Sequence, residues 1–246
     1  MLERIEGIVT DIVKHNDRHN VVTLFTRRYG RMAFLAPVGK SKAGRMRNAT
    51  LQLMAVVEAD VNTRQGRELH TLRQPASARL WHGIYADPVK LSLLFFLAEF
   101  SNKLLRQYPA DEPLWQFLIH TLETLNALPS SRVANFHIAF LVGLLPLVGI
   151  APPVEKWEDG DRFDMLSGEM VGSGNPEFMT RRLFITEEES RAIPHLLRMN
   201  FGNMHSFRFG GALRQQVLDA LLRYYSVHLP LGTDFKTLPI LRELFA

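Results

Sequence analysis

Phe25, Arg27, Arg28, Tyr29, Arg31 and Phe34 interleave cations with aromatic rings over a short stretch near the start of the chain. Guanidinium groups follow phosphates, and an exposed ring stacks a base without reading its identity, so the mixture suits single-stranded nucleic acid. Lys40, Lys42, Arg45 and Arg47 follow in Val38–Asn48, a run with two glycines and small polar residues. It reads as a basic loop able to track a phosphate backbone. No acidic residue occurs between Asp17 and Glu58, a window that also holds Arg18. Nothing inside it cancels the positive field, so a polyanion would be attracted and a polycation repelled. The candidate phosphate contacts are Arg27, Arg28, Arg31, Lys40, Lys42, Arg45 and Arg47, with Tyr29, in a turn, as the stacking residue. Phe25 and Phe34 read as strand residues facing a core. A solvated basic face with no ligand is the competing reading.

Other chemistries lack their residues. The chain has no cysteine, which excludes disulfides, thiolate zinc sites, iron–sulfur clusters and a cysteine nucleophile. Gly39-Lys40-Ser41 ends like a phosphate-binding loop, but the position five residues before Gly39 is Phe34, where that loop needs glycine. The His-Glu-x-x-His pattern, the nucleophile-elbow pattern and the dinucleotide glycine pattern are missing. Asp159, Asp161 and Asp164 cluster in a glycine-containing loop without the glycine and distal glutamate of a calcium loop. No catalytic residue, metal or cofactor is therefore expected.

The elements that would position these groups change type along the chain. Ile5–Val13, Val21–Thr26, Arg31–Ala36, Leu51–Glu58 and Leu69–Gln74 are short β-rich runs divided by turn signals, the pattern of a small barrel. Gly7 inside the first run fits a strand bent at a barrel corner. After Pro75 helical patterns take over. Asp87-Pro88 opens a helix to Leu105 and Asp111-Glu112-Pro113 a second. A third runs from about Ser131 to Pro146, a fourth over Glu187–Met199 behind a capping box at Thr186, a fifth over Gly211–His228 and a last over Leu238–Phe245. Ala151–Phe184 is glycine- and proline-rich, an irregular insert or short hairpin module. Val133–Ala151 is apolar enough to raise a membrane question, but Asn135, His137, Pro146 and two glycines favour a buried core helix. The start lacks a basic region followed by an apolar one, so no secretory signal is expected. The expected fold is α+β and multidomain, with a basic barrel over 1–78 and an all-α domain over 79–246. Charge divides the same way. Residues 1–80 hold 14 Lys+Arg against 7 Asp+Glu, a net of +7, and the remainder 15 against 18, a net of −3.

Three blocks together resemble the RecO family of recombination mediators. They are Val22–Arg31 with Gly39-Lys40-Ser41-Lys42; Asn135–Leu141 through Gly149-Ile150-Ala151-Pro152; and Tyr224-Tyr225, His228, then Lys236-Thr237-Leu238 and Leu241. The resemblance implies an N-terminal OB-fold, a helical domain and an insert that holds a four-cysteine zinc site in many members. Here that insert, 151–184, has neither cysteine nor histidine. The resemblance further implies binding of single- and double-stranded DNA, strand annealing, association with RecR, and help in loading RecA onto DNA coated by single-stranded DNA-binding protein. It implies a bacterial cytoplasmic, nucleoid-associated setting. It also implies capture of that coating protein's acidic, Phe-ending tail by the helical domain. Arg132, at the expected start of the third helix, with Phe136 and Phe140 behind it, is the candidate site for the tail. From the residues alone, an adaptor whose basic barrel docks an acidic protein remains the alternative, and a hydrolase with an unseen site a weaker one.

Overall fold

The computed structural model describes all residues except 1, 40, 42, 43, 45–48, 63–68, 154–157, 159, 173, 175–182, 184, 233 and 246. Runs of β-branched and aromatic residues form strands β1 (Leu2–Lys14), β2 (His19–Thr26), β3 (Gly30–Pro37), β4 (Val56–Asn62) and β5 (Leu69–Arg79). Their order, β1-β2-β3-β5-β4, closes because β4 pairs back with β1. The β3–β5 pairing is parallel and the others are antiparallel. A small five-stranded ring closed in this order is an OB-fold.

Gly7 sits where β1 changes partner. Residues Leu2–Ile8 pair with β4 and Gly7–Lys14 with β2, so Gly7 and Ile8 serve both neighbours. A Cβ at Gly7 would lie 3.1 Å from the Leu24 Cβ. The missing side chain lets the strand turn the corner with its neighbour packed close. Ile5, Val9, Val22, Leu24, Phe34, Val57 and Val61 fill the interior.

The strands depart from the sequence reading at most of their ends, furthest at the start of β4 and the end of β5. β4 begins at Val56 rather than Leu51, because Met54 adopts φ 62 and breaks the extended run. Met54 is held there by its amide, which donates to Val9 O at 2.7 Å, and by its carbonyl, which accepts from Trp81 Nε1 at 2.7 Å. β5 continues through Pro75 to Arg79. Its register to β4 shifts between the Glu58 and Asp60 pairs, so the proline falls in a bulge where no ladder donor is needed.

The helices follow their capping signals. After α1 (His82–Tyr85), helix α2 (Pro88–Leu104) starts at Asp87, whose carboxylate accepts from Val89 N and Lys90 N at 2.9 and 3.2 Å. Helix α3 (Glu112–Ala127) starts at Asp111, which accepts from Leu114 N at 2.7 Å. Each cap satisfies amides that have no partner within the helix. Helix α4 (Phe136–Leu144) is shorter than expected and is preceded by a 3-10 turn at Ser130–Arg132. Nearly all of its side chains are buried, as an apolar helix without a polar face requires. Among the described residues no helix is long and apolar enough to cross a membrane. The insert contributes a hairpin, β6 (Arg162–Asp164) and β7 (Glu169–Val171). Helix α5 (Glu187–Leu196) carries the expected capping box: Thr186 Oγ1 accepts from Glu189 N at 3.2 Å, and Glu189 Oε2 accepts from Thr186 N at 2.9 Å. Helices α6 (Gly211–His228) and α7 (Leu238–Leu244) complete the chain.

These elements form two compact units. The first is residues 1–130 with 235–244, and the second is residues 131–234 with 245–246. Within the first, the Glu99 carboxylate accepts from Lys236 N and Thr237 N at 2.8 and 2.9 Å, just ahead of α7. The Phe235 ring stacks on Phe100, with centroids 5.8 Å apart and planes at 11°.

Within the second, His137 on α4 is 1% exposed and stacks on Phe245 at 5.5 Å. Burial, with a smaller push from the Arg214 charge, lowers its pKa to about 3. The unfolded chain binds this proton near pH 6.5 and the folded chain does not, so stability falls as pH drops from about 6.5 toward 3. We expect this histidine to remove about 2 kcal/mol between pH 7 and pH 5. Urea titrations of wild type and His137→Gln at both pH values test it, since the variant should lack that share of the loss. Equal losses in the two proteins would refute it.

Candidate nucleic-acid interface

The β2–β3 turn is built to hold its tip rigid. Thr26 pairs with Gly30, leaving Arg27, Arg28 and Tyr29 as a three-residue loop. Thr26 Oγ1 donates to Gly30 O at 2.8 Å and accepts from Tyr29 N at 3.1 Å. Gly30 takes φ +68, the left-handed residue that closes a three-residue hairpin loop. The loop therefore presents Arg27, Arg28 and Tyr29 outward, with exposed Arg31 following on β3.

Strand alternation decides what Arg27 does. Phe25 and Arg27 share a face, and that face is covered by α3. Phe25 is fully buried against Trp115, ring centroids 6.2 Å apart, so it packs outside the barrel interior whereas Phe34 packs within it. One helical turn before Trp115, the Glu112 carboxylate receives Arg27 Nε at 2.8 Å and Nη2 at 2.5 Å, a bidentate pair. Glu6 lies 3.6 Å from the same guanidinium. Hydrogen bonds from Arg27 first, then Gln116, hold the Glu112 carboxyl down to about 2. Arg28 pairs with Glu3 at 3.0 Å, and the Tyr29 hydroxyl donates to the other Glu3 oxygen at 2.6 Å. Arg31 forms no ion pair with a described residue. The sequence pattern did not point to Glu3, Glu6 or Glu112 as partners, because the pairs join positions distant along the chain.

Lys40, Lys42, Arg45 and Arg47 lie outside the described residues, but the frame of their loop is described. Val38 N donates to Arg18 O at 2.7 Å, which ties the loop to the β1–β2 connection. Gly39 and Gly44 approach so closely that a Cβ on Gly39 would fall 2.4 Å from Gly44 Cα. Gly44 N donates to Ser41 Oγ at 3.1 Å. The two glycines pinch the loop base.

Arg132 is exposed on the 3-10 turn, four residues ahead of α4, so it does not occupy that helix's first turn. Phe136 and Phe140 are fully buried, and Phe136 stacks on Phe201 at 4.7 Å. Neither ring offers surface to a docked peptide. An apolar cavity of about 490 Å³ does open in the second unit, lined by Leu145, Phe163, Ile193, Leu197, Val217 and Tyr224 among others. Of the aspartates in the insert, Asp159 is outside the described residues and Asp161 accepts from Glu158 N at 2.9 Å. Asp164 is buried and accepts from Leu166 N and Ser167 Oγ at 3.0 and 2.9 Å, closing the β6–β7 turn. Among the described residues no group of His, Asp and Glu could hold a metal ion.

Comparison with known proteins finds two family matches along the chain. The family described as "Recombination protein O N terminal" matches residues 1–79, and "Recombination protein O C terminal" matches residues 85–238. The chain is 32% identical over 245 residues to "DNA repair protein RecO" of Bacteroides fragilis, covering 100% of both chains. It is also 32% identical to the RecO proteins of Phocaeicola vulgatus, over 100% of both chains, and of Porphyromonas gingivalis, over 97% of both. With two family matches spanning nearly all of the sequence and relatives aligned end to end, the chain belongs to the RecO family, whose role is in DNA repair and recombination.

Proposed function

We propose that the chain is a non-enzymatic recombination mediator. It binds single- and double-stranded DNA, promotes annealing of complementary strands, and works with RecR to help load RecA onto DNA coated by single-stranded DNA-binding protein. DNA binding is assigned to residues 1–78, and capture of the coating protein's acidic tail to residues 79–246, with exposed Arg132 as a cation for its carboxylates. The observation that carries this reading is the acid-free stretch from Arg18 to Val57, which holds both the rigid β2–β3 turn and the pinched basic loop of an OB-fold. Cations spaced along a backbone follow phosphates and carry no sequence preference.

One observation favours the adaptor reading. Arg27, Arg28 and Tyr29 already bind carboxylates, so the turn is fit for acidic side chains of a protein partner. Salt dependence separates the two readings, because phosphate contacts release condensed counterions and give a steep log-linear slope. Changing Lys40, Lys42, Arg45 and Arg47 together to Ala should weaken binding of a labelled single strand by about a hundredfold at low salt. It should also flatten the slope by about 3 to 4. The loss should be the same for every sequence. Unchanged affinity and slope in fluorescence anisotropy would remove the loop as the DNA site.

A further inference from the structure

The second unit contains another acid-free run, from Ser190 to Leu218, holding Arg191, His195, Arg198, His205, Arg208 and Arg214. We propose that His195, Arg198, His205 and Arg208 form a second phosphate-binding surface, carried by the second unit and fitted to a nucleic-acid backbone. The inference rests on the reading that the protein works on DNA, but it concerns residues to which that reading assigns no role.

The connection between α5 and α6 is shaped to face these side chains outward. Its apolar anchors point in: Met204 is 1% exposed and Phe207 8%. Asn135 Nδ2 donates to Met204 O and Phe207 O at 3.0 and 2.8 Å, fixing the backbone at both anchors. His205 and Arg208 each follow an anchor and are exposed. The turn at Arg198–Asn203 is closed by its own amides: Asn203 Nδ2 donates to Arg198 O at 2.9 Å, and Asn203 Oδ1 accepts from Asn200 N at 2.8 Å. The His195 ring lies 4.6 Å from the Phe207 ring, so the end of α5 and the stretch 204–208 are neighbours. His195, Arg198, His205 and Arg208 thus lie on two neighbouring stretches of fixed backbone.

Two observations set the ligand class. Among the described residues no carboxylate lies within ion-pair distance of Arg198, His205 or Arg208, unlike Arg27 and Arg28 on the barrel. The negative end of the α5 dipole accounts for a cation at Arg198, but not for Arg208, which lies beyond that helix. From Arg198 to Gly210 the exposed residues are cationic, polar or glycine, with the three phenylalanines turned partly or wholly inward. An acidic peptide with an apolar anchor needs exposed apolar surface. A repeating phosphate chain needs only spaced donors of positive charge. A chain with a phosphate-binding surface on each unit could hold two strands at once, which is what annealing requires.

The test uses the full chain and a labelled single strand, followed by anisotropy across a salt series. Arg198→Glu with Arg208→Glu should weaken binding about tenfold at low salt and flatten the slope by about two, whereas Arg223→Glu, an exposed charge on α6, should change it less than twofold. Arg198→Gln with Arg208→Gln should lose less but move in the same direction. If the Glu pair keeps wild-type affinity and slope while the basic-loop variant loses them, DNA binding stands and this surface is refuted. If neither variant loses affinity, both readings fall. If the Glu pair loses only an acidic Phe-ending peptide and keeps DNA, the surface docks protein and the proposal is overturned.

Discussion

Asn135→Ala is expected to destabilise the second unit by about 3 to 5 kcal/mol, because two buried carbonyls and the part-buried Arg214 guanidinium each lose a partner at once. Asn135 is 5% exposed. Its Nδ2 donates to Met204 O and Phe207 O, and its Oδ1 accepts from Arg214 Nε at 3.0 Å. Arg214 also donates to Phe209 O at 2.8 Å and Phe245 O at 2.7 Å, so one amide and one guanidinium together organise the start of α6 and the chain end. Alanine would leave Met204 O with Phe207 N alone at 3.3 Å, Phe207 O with Phe209 N alone at 3.1 Å, and the guanidinium short of an acceptor. Urea unfolding followed by circular dichroism checks the size, and a loss below about 1 kcal/mol would refute it. Asn135→Asp should be intermediate, since it keeps the acceptor for Arg214 and loses the two donors.

Gly30→Ala is expected to cost the first unit about 3 kcal/mol, from two separate causes. The backbone has φ +68, where a side chain is strained by about 1 to 2 kcal/mol. A Cβ there would also stand 2.8 Å from the backbone of Tyr108, Pro109 and Ala110, and backbone cannot step aside as a flexible side chain does. Gly149→Ala separates the causes, because Gly149 has φ +74 and a Cβ added there would meet nothing within 4 Å. Only the conformational part, about 1 kcal/mol, should be lost there. Equal losses at the two glycines would show that the close approach to Tyr108–Ala110 carries no weight.

What could be read from the sequence were features whose causes are local. Asp87, Asp111 and Thr186 cap helices because a short polar side chain reaches amides two or three residues on. The Tyr29-Gly30 turn was visible because left-handed backbone asks for glycine. What escaped depended on distant partners. Arg132 was expected on a helix, but Asn135 spends its side chain on carbonyls far along the chain, and the helix starts only after it. Met54 bends away from β4 because Val9 and Trp81 grip its backbone from other elements. Arg27 was expected to be free for phosphate, yet it is shared with Glu112 of α3. The basic run at 190–218 meets the same acid-free criterion as the first window. Summing charge over the whole remainder of the chain averaged it away.

The contact of Phe235 with Phe100 and the Glu99 cap have a temporal meaning during synthesis. Residues 131–234 form a continuous stretch, while the first unit needs Phe235–Leu244 to be complete. The barrel, α2 and α3 leave the ribosome roughly 100 residues before the segment that covers Phe96 and Phe100. At about 5–20 residues per second that interval is on the order of 10 s, long against the formation of helices and small β structures. The nascent chain therefore carries an open aromatic face on α2 while the later residues are being made. Residues 131–234, nearly all of the unit encoded second, are thus made before the segment that completes the unit encoded first, and Phe245 joins the second unit only after that segment.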